Sequence, residues 1–144
     1  MLTTNQRGAV TEAAIVKAAV ELGIGVFRPV MDERYDLILD LRPRLLRVQC
    51  KTAVVKGEII VVRCYSTRRT ATGFVKRTYS GEEVDAVAAH AAELDRCFVI
   101  PITRIDRMTT LQLRLGPTRN NQSNGINWAN DFDFAATLSR LQGP

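Results

Sequence analysis

The sequence has little cysteine, histidine or tryptophan, and no long apolar run. There are three Cys, one His and one Trp in 144 residues. Cys50, Cys64 and Cys97 are odd in number and widely spaced, so they fit neither a zinc site nor a disulfide framework. A reducing, intracellular setting is the simplest reading, and the expected location is cytoplasmic. No apolar run reaches the roughly 18 residues of a membrane span, so no membrane partner is expected. Met1 to Gly8 is polar and lacks the apolar core of a secretory signal. No internal repeat and no linker divides the chain, so residues 1–144 are expected to form one domain.

Charge of one sign is also missing locally. No acid lies between Arg63 and Tyr79, a stretch that holds Arg63, Arg68, Arg69, Lys76 and Arg77. Thr and Ser are interleaved with these cations, and Gly73 offers a turn. Residues 63–79 therefore read as an exposed basic loop or hairpin tip. The whole chain carries a net charge of +5, which favours a polyanionic partner, nucleic acid first.

What is present is a helix followed by alternating strands. From Gln6 to Leu22, Ala9, Ile15, Val16, Ala19 and Leu22 recur at helical spacing, and Gly23 supplies a C-terminal stop. Glu12 falls on the same stripe, where a carboxylate needs a partner. Ile24–Arg28 is a short strand candidate. Tyr35–Leu41 alternates in polarity, and Arg42-Pro43-Arg44 turns the chain back into a second alternating run, Leu45–Ala53. Glu58–Arg63 is a further strand candidate, which makes a mostly antiparallel meander. Ser80-Gly81-Glu82-Glu83 has capping-box spacing and predicts a helix over Glu82–Leu94, with Val84, Val87, Ala88 and Ala91 inward. On that helix Asp85 reads as a brace and His90 as filler. Arg96–Ile102 and Leu111–Leu115 read as strands. Residues 116–127 form a polar loop, and Trp128–Leu141 is predicted as a final helix.

On the two central strands, side chains two residues apart point the same way. Gln49 and Lys51 therefore share a face and confront Asp36 across the hairpin. Cys50 points to the core, which leaves its backbone carbonyl available as a ligand. Asp40 lies roughly 13 Å from Asp36 along an extended strand, too far to share an ion. A carboxylate, an amide oxygen and a lysine in this arrangement suit phosphodiester hydrolysis around a hard divalent cation.

The ordered set Glu12, Tyr35-Asp36-Leu37 and Val48-Gln49-Cys50-Lys51-Thr52-Ala53 resembles the core of the PD-(D/E)XK nuclease superfamily. More narrowly it resembles bacterial group I intron homing endonucleases. Tyr79 to Asp85, Cys97 to Pro101, and Arg114 to Gln122 through Trp128 to Phe132 extend the resemblance over nearly the whole chain. The resemblance implies an α/β fold with a central mixed β-sheet flanked by helices, in a bacterial or phage-like setting. It implies that Asp36 is the principal metal carboxylate, that Glu12 is an additional acid, and that Lys51 is the motif lysine. Gln49 stands where the superfamily usually has an acid, and no Pro precedes Asp36. The implied activity is site-specific cleavage of double-stranded DNA with Mg²⁺ or another hard divalent cation, by a homodimer or homotetramer. A Holliday-junction-resolvase-like nuclease, a catalytically decayed DNA-binding protein and a non-nuclease interaction domain are the alternatives.

Overall fold

The computed structural model describes residues 1–117 and 124–143. The first helix, α1 (Thr4–Glu21), is opened by a capping box. Thr3 Oγ1 accepts the Gln6 N–H at 3.1 Å, and Gln6 Oε1 accepts the Thr3 N–H at 2.9 Å. The helix thus starts before the expected Gln6, because two orphan amide donors find partners there. Its buried stripe is Thr11, Ile15 and Ala19, one residue per turn or so. Ala9 and Leu22, expected on that stripe, are exposed instead.

An antiparallel meander follows, formed by β1 (Gly25–Phe27), β2 (Leu37–Asp40), β3 (Leu45–Lys56) and β4 (Ile59–Arg63). In the β2–β3 turn, Asp40 Oδ1 accepts the Arg42 N–H at 3.0 Å, and Leu41 N donates to the Arg44 carbonyl at 2.8 Å. Asp40 is thereby used by its own turn. The basic stretch forms a two-stranded hairpin, β5 (Tyr65–Thr70) and β6 (Gly73–Thr78), which makes a sheet of its own. Three strands complete the main seven-stranded sheet: β7 (Ala86–Ala91), β8 (Arg96–Pro101) and β9 (Thr110–Arg114). β7 runs parallel to β3 and antiparallel to β8, while β4 pairs with β9. The sheet is therefore mixed, as expected.

The helix predicted over Glu82–Leu94 is not formed. Ala86–Ala91 is instead a strand with every residue buried. Its composition favours a helix in isolation, since alanine is the best helix former. Placement between β3 and β8 overrides that preference, and apolar periodicity cannot separate a fully buried strand from a buried helix. The Ser80–Glu83 spacing makes a turn, in which the Ser80 carbonyl accepts the N–H groups of Glu83 and Val84. The last predicted helix is also divided. Residues Ala129–Phe132 form a 3-10 turn, and Asp133 then caps α2 (Phe134–Gln142) by accepting the Ala136 N–H. Much of the amide-rich loop, including Asn120 and Asn121, lies outside the described residues.

Two cores flank the sheet. Ile15, Ala19, Leu37, Leu39, Leu46, Val48, Ala86, Ala88, Val99 and Leu138 pack beneath α1 and α2. Ile60, Val62, Val87, Ala89, Phe98, Ile100, Leu113 and Phe132 pack on the other face. Asp85 does brace the molecule, though at the entry to β7 and not on a helix. Its carboxylate accepts the Arg47 backbone N–H at 2.7 Å and two guanidinium hydrogen bonds at 3.2 and 3.1 Å. Burial pushes the Asp85 pKa up, but the hydrogen bonds from Arg47 outweigh it and hold the carboxyl below its usual value. A depressed carboxylate pKa gives stability that is present above the unfolded value, about 3.9, and is lost as pH falls through the folded one. Asp85→Ala is expected to cost about 2 kcal/mol at pH 7. Urea melts at neutral and strongly acidic pH will check this, because the gap from wild type must narrow in acid.

His90 lies on β7 and is buried, with Nε2 3.2 Å from Asp95 Oδ1. It is a core residue of the strand and has no place among the groups assembled around Asp36.

Candidate active site

The hairpin that joins β2 to β3 determines what meets Asp36. Pairing of β2 with β3 begins at Leu37 opposite Val48. Asp36 N still donates to the Val48 carbonyl at 2.9 Å, but its side chain then extends along β3 past the paired residues. The Cys50 N–H donates to Asp36 Oδ2 at 2.9 Å. Within an extended strand, a residue turns its N–H and C=O to the same edge. The Cys50 carbonyl thus faces the Asp36 side too, and Gln49 Nε2 lies 3.5 Å from it. Asp36 and the Gln49 amide thus both lie against the backbone of Cys50.

Glu12 occupies the edge of the α1 stripe. Its side chain is 32% exposed, and Oε1 accepts a hydrogen bond from Arg28 Nε at 2.9 Å. It nonetheless acts on the site electrostatically. The Asp36 pKa is raised, first by burial and further by the charge of Glu12, against the Cys50 N–H and Lys51, which lower it. Lys51 has a backbone partner of its own. Its ammonium donates to the Tyr65 carbonyl at 2.7 Å and lies 5.3 Å from the Tyr79 ring centre. The lysine therefore reaches the root of the β5–β6 hairpin, while its charge still acts on Asp36.

These donors suit a hard cation. Among the described residues, no three His, Cys, Asp or Glu side chains gather closely enough to hold an ion. An ion beside Asp36 would therefore draw on the Gln49 amide oxygen and the Cys50 carbonyl as well. All are oxygen ligands of the kind that Mg²⁺ or Ca²⁺ takes. The Cys50 side chain itself packs against the α1-side core, and burial pushes its thiol pKa far up. In the free protein the Gln49 amide turns its nitrogen toward the Cys50 carbonyl, and a half-turn of the amide exchanges that nitrogen for oxygen.

The hairpin carries the predicted DNA-contacting cations. Thr67 faces Lys76, Arg68 faces Val75, and Arg69 faces Phe74 across it. Arg68, Arg69 and Lys76 are exposed, and Lys76 stacks its ammonium 4.7 Å from the Tyr65 ring centre. Phe74, at the tip, is 73% exposed. Arg77 donates to Glu83 Oε2 at 2.8 Å, and Arg63 ends β4 opposite Thr110, so both stand at the hairpin's base. The sequence reading missed Arg28, the partner of Glu12, and Arg34, which binds the hairpin's base. Arg28 ends a short strand candidate and Arg34 falls in a polar turn, and no periodicity singles out either.

A search of solved structures places the chain beside a bacterial homing endonuclease, I-Ssp6803I, at a TM-score of 0.78 and 26% identity, covering 99% of this chain and 96% of that one. MepB overlaps at a TM-score of 0.34 and 13% identity over 82% of this chain and 80% of that one, too little to support an argument. A comparison with curated proteins found no match. The family model described as PD-(D/E)XK endonuclease matches residues 2–135, and so the chain belongs to the PD-(D/E)XK endonucleases, DNA-cleaving hydrolases.

Proposed function

We propose that this protein is a site-specific endonuclease of double-stranded DNA, of homing-endonuclease type, dependent on Mg²⁺ or another hard divalent cation. The observation that most supports the reading is the junction of Asp36 with the Cys50 amide beside Gln49, one residue before Lys51. Asp36, Gln49 and the Cys50 carbonyl would hold the ion, with Glu12 contributing charge from α1. When bound, the ion supplies an acidified water and a positive charge facing the phosphate. Lys51 would leave the Tyr65 carbonyl when DNA arrives and donate to the attacking water or to a phosphate oxygen. The family resemblance implies 5′-phosphate and 3′-hydroxyl products.

A two-stranded β-ribbon fits the major groove of B-DNA. The β5–β6 hairpin is such a ribbon and carries exposed cations with no acid among them. Arg68, Arg69 and Lys76 would neutralise phosphates or reach guanine edges, while Arg63 and Arg77 would follow the backbone nearer the core. One site per chain must act on both strands, so a homodimer or homotetramer is the working assembly. Cleavage of linear duplex and of a four-way junction in Mg²⁺, with sedimentation of the same sample, tests the reading. Duplex cutting by an oligomer is expected. Cutting confined to the junction would favour a resolvase, and salt-sensitive binding without any cutting would favour a decayed nuclease.

Gln49 sets the charge of the site. Restoring an acid with Gln49→Glu is expected to tighten divalent-ion binding by about tenfold, because ligand charge sets the affinity of such sites. Mg²⁺ titration followed by thermal shift measures this. The same substitution should lower the melting temperature of the ion-free protein, since it sets a third carboxylate beside Asp36 and Glu12.

A further inference from the structure

Among the described residues, the β5–β6 hairpin shares no strand pairing with the main sheet. Its angle on the body is therefore fixed by its two chain ends and by side chains at its base. Arg34 is prominent among these. It precedes Asp36 by two positions, in the segment that leads into β2. Its Nη1 donates to Ser66 Oγ at 2.8 Å, on β5. Its Nη2 donates to the Thr78 carbonyl at 2.8 Å, on β6. Nε stands 3.3 Å from Glu83 Oε2, and the guanidinium lies 4.2 Å from the Tyr79 ring centre. The side chain is only 20% exposed. A planar guanidinium thus joins both strands of the hairpin to the segment that carries the principal site carboxylate. Lys51 makes the parallel tie from β3, through the Tyr65 carbonyl.

We infer that Arg34 is a positioning residue that sets the distance between the bases held by the β5–β6 hairpin and the phosphate presented to Asp36. The inference rests on the proposed nuclease reading and deepens it. Arg68, Arg69 and Lys76 lie farther out on the hairpin, so losing Arg34 leaves these three cations on the ribbon. What changes is their register against the catalytic strands. A displacement of about 1 Å at a reacting centre can cost a hundredfold in rate.

The test compares wild type, Arg34→Ala and Arg34→Lys. Binding is read on a short mixed-sequence duplex. Single-turnover cleavage is read on supercoiled plasmid in Mg²⁺, and cut positions are mapped by sequencing the product ends. Arg34→Ala is expected to hold duplex affinity within about threefold, to slow cleavage by about a hundredfold, and to scatter the cut positions. Arg34→Lys keeps the charge without the fork, so it should bind as wild type and still cut at scattered positions. Unchanged cut positions in both variants, or binding and cleavage that fall in proportion, would overturn the inference. Amide hydrogen exchange gives a reading independent of nuclease activity. Exchange across residues 65–78 should quicken in both variants while the amides of β7 stay protected. Unaltered exchange at the hairpin refutes the tie, whereas a wild type that cuts no DNA refutes the nuclease reading alone.

Discussion

Asp36→Asn is expected to reduce Mg²⁺-dependent nicking of supercoiled plasmid by at least about a thousandfold, the scale of losing charge stabilisation at the transition state. The same variant should melt no lower than wild type in ion-free buffer at neutral pH. The wild-type carboxylate is half-buried and lies in the field of Glu12, and both raise its pKa. A raised carboxylate pKa marks an ionised form that folding disfavours, so that stability is greatest below the unfolded pKa and declines as pH rises through the folded one. The neutral amide escapes this cost and can still accept the Cys50 N–H. Adding Mg²⁺ should reverse the order. Wild type gains about 2.7 kcal/mol at a hundredfold excess over Kd, and the variant gains little. Thermal shift with and without Mg²⁺ checks both halves. A variant that nicks at the wild-type rate would show that Asp36 is not the site's carboxylate.

Lys51→Ala should fall nearly as far in cleavage, by about a hundredfold to ten-thousandfold, the range for losing a positioned proton donor. Its relation to the ion should be the opposite. Lysine is no ligand, so the melting shift on adding Mg²⁺ should survive in Lys51→Ala and vanish in Asp36→Asn. The two variants therefore separate holding the ion from using it. Lys51 also donates to the Tyr65 carbonyl, and its loss frees one tie of the hairpin. Lys51→Arg serves as control, because it can keep that tie while altering the geometry of the donor. Recovery of full cleavage in Lys51→Arg would show that the tie, and not the amine, is what cleavage requires.

The strands around the site were legible because their one-sided burial writes a two-residue period into Tyr35–Leu41 and Leu45–Ala53. The same period placed Gln49 and Lys51 on one face. It could not say where a long side chain would end, and Lys51 turns to a carbonyl on another sheet. Glu12 was recognisable as an acid on the helix, but its ion pair with Arg28 depends on a loop conformation that no local pattern encodes. The stretch Ala86–Ala91 misled for a different reason. A strand buried on both faces has no polar alternation, and alanine carries a helical preference that only its neighbours overrule. Arg34 was invisible because its meaning lies in partners 32 to 49 positions away in the chain.

That alanine strand also acts as a spacer gauge. Ala86 and Ala88 share a core with Ile15 and Ala19 of α1, so the bulk of β7 helps fix how closely the helix lies to the sheet. Glu12 rides on that helix, while Asp36 is anchored to β3 through Cys50. The gap across which the two carboxylates act is thus measured out in methyl groups, and the smallness of β7 is part of the architecture of the site.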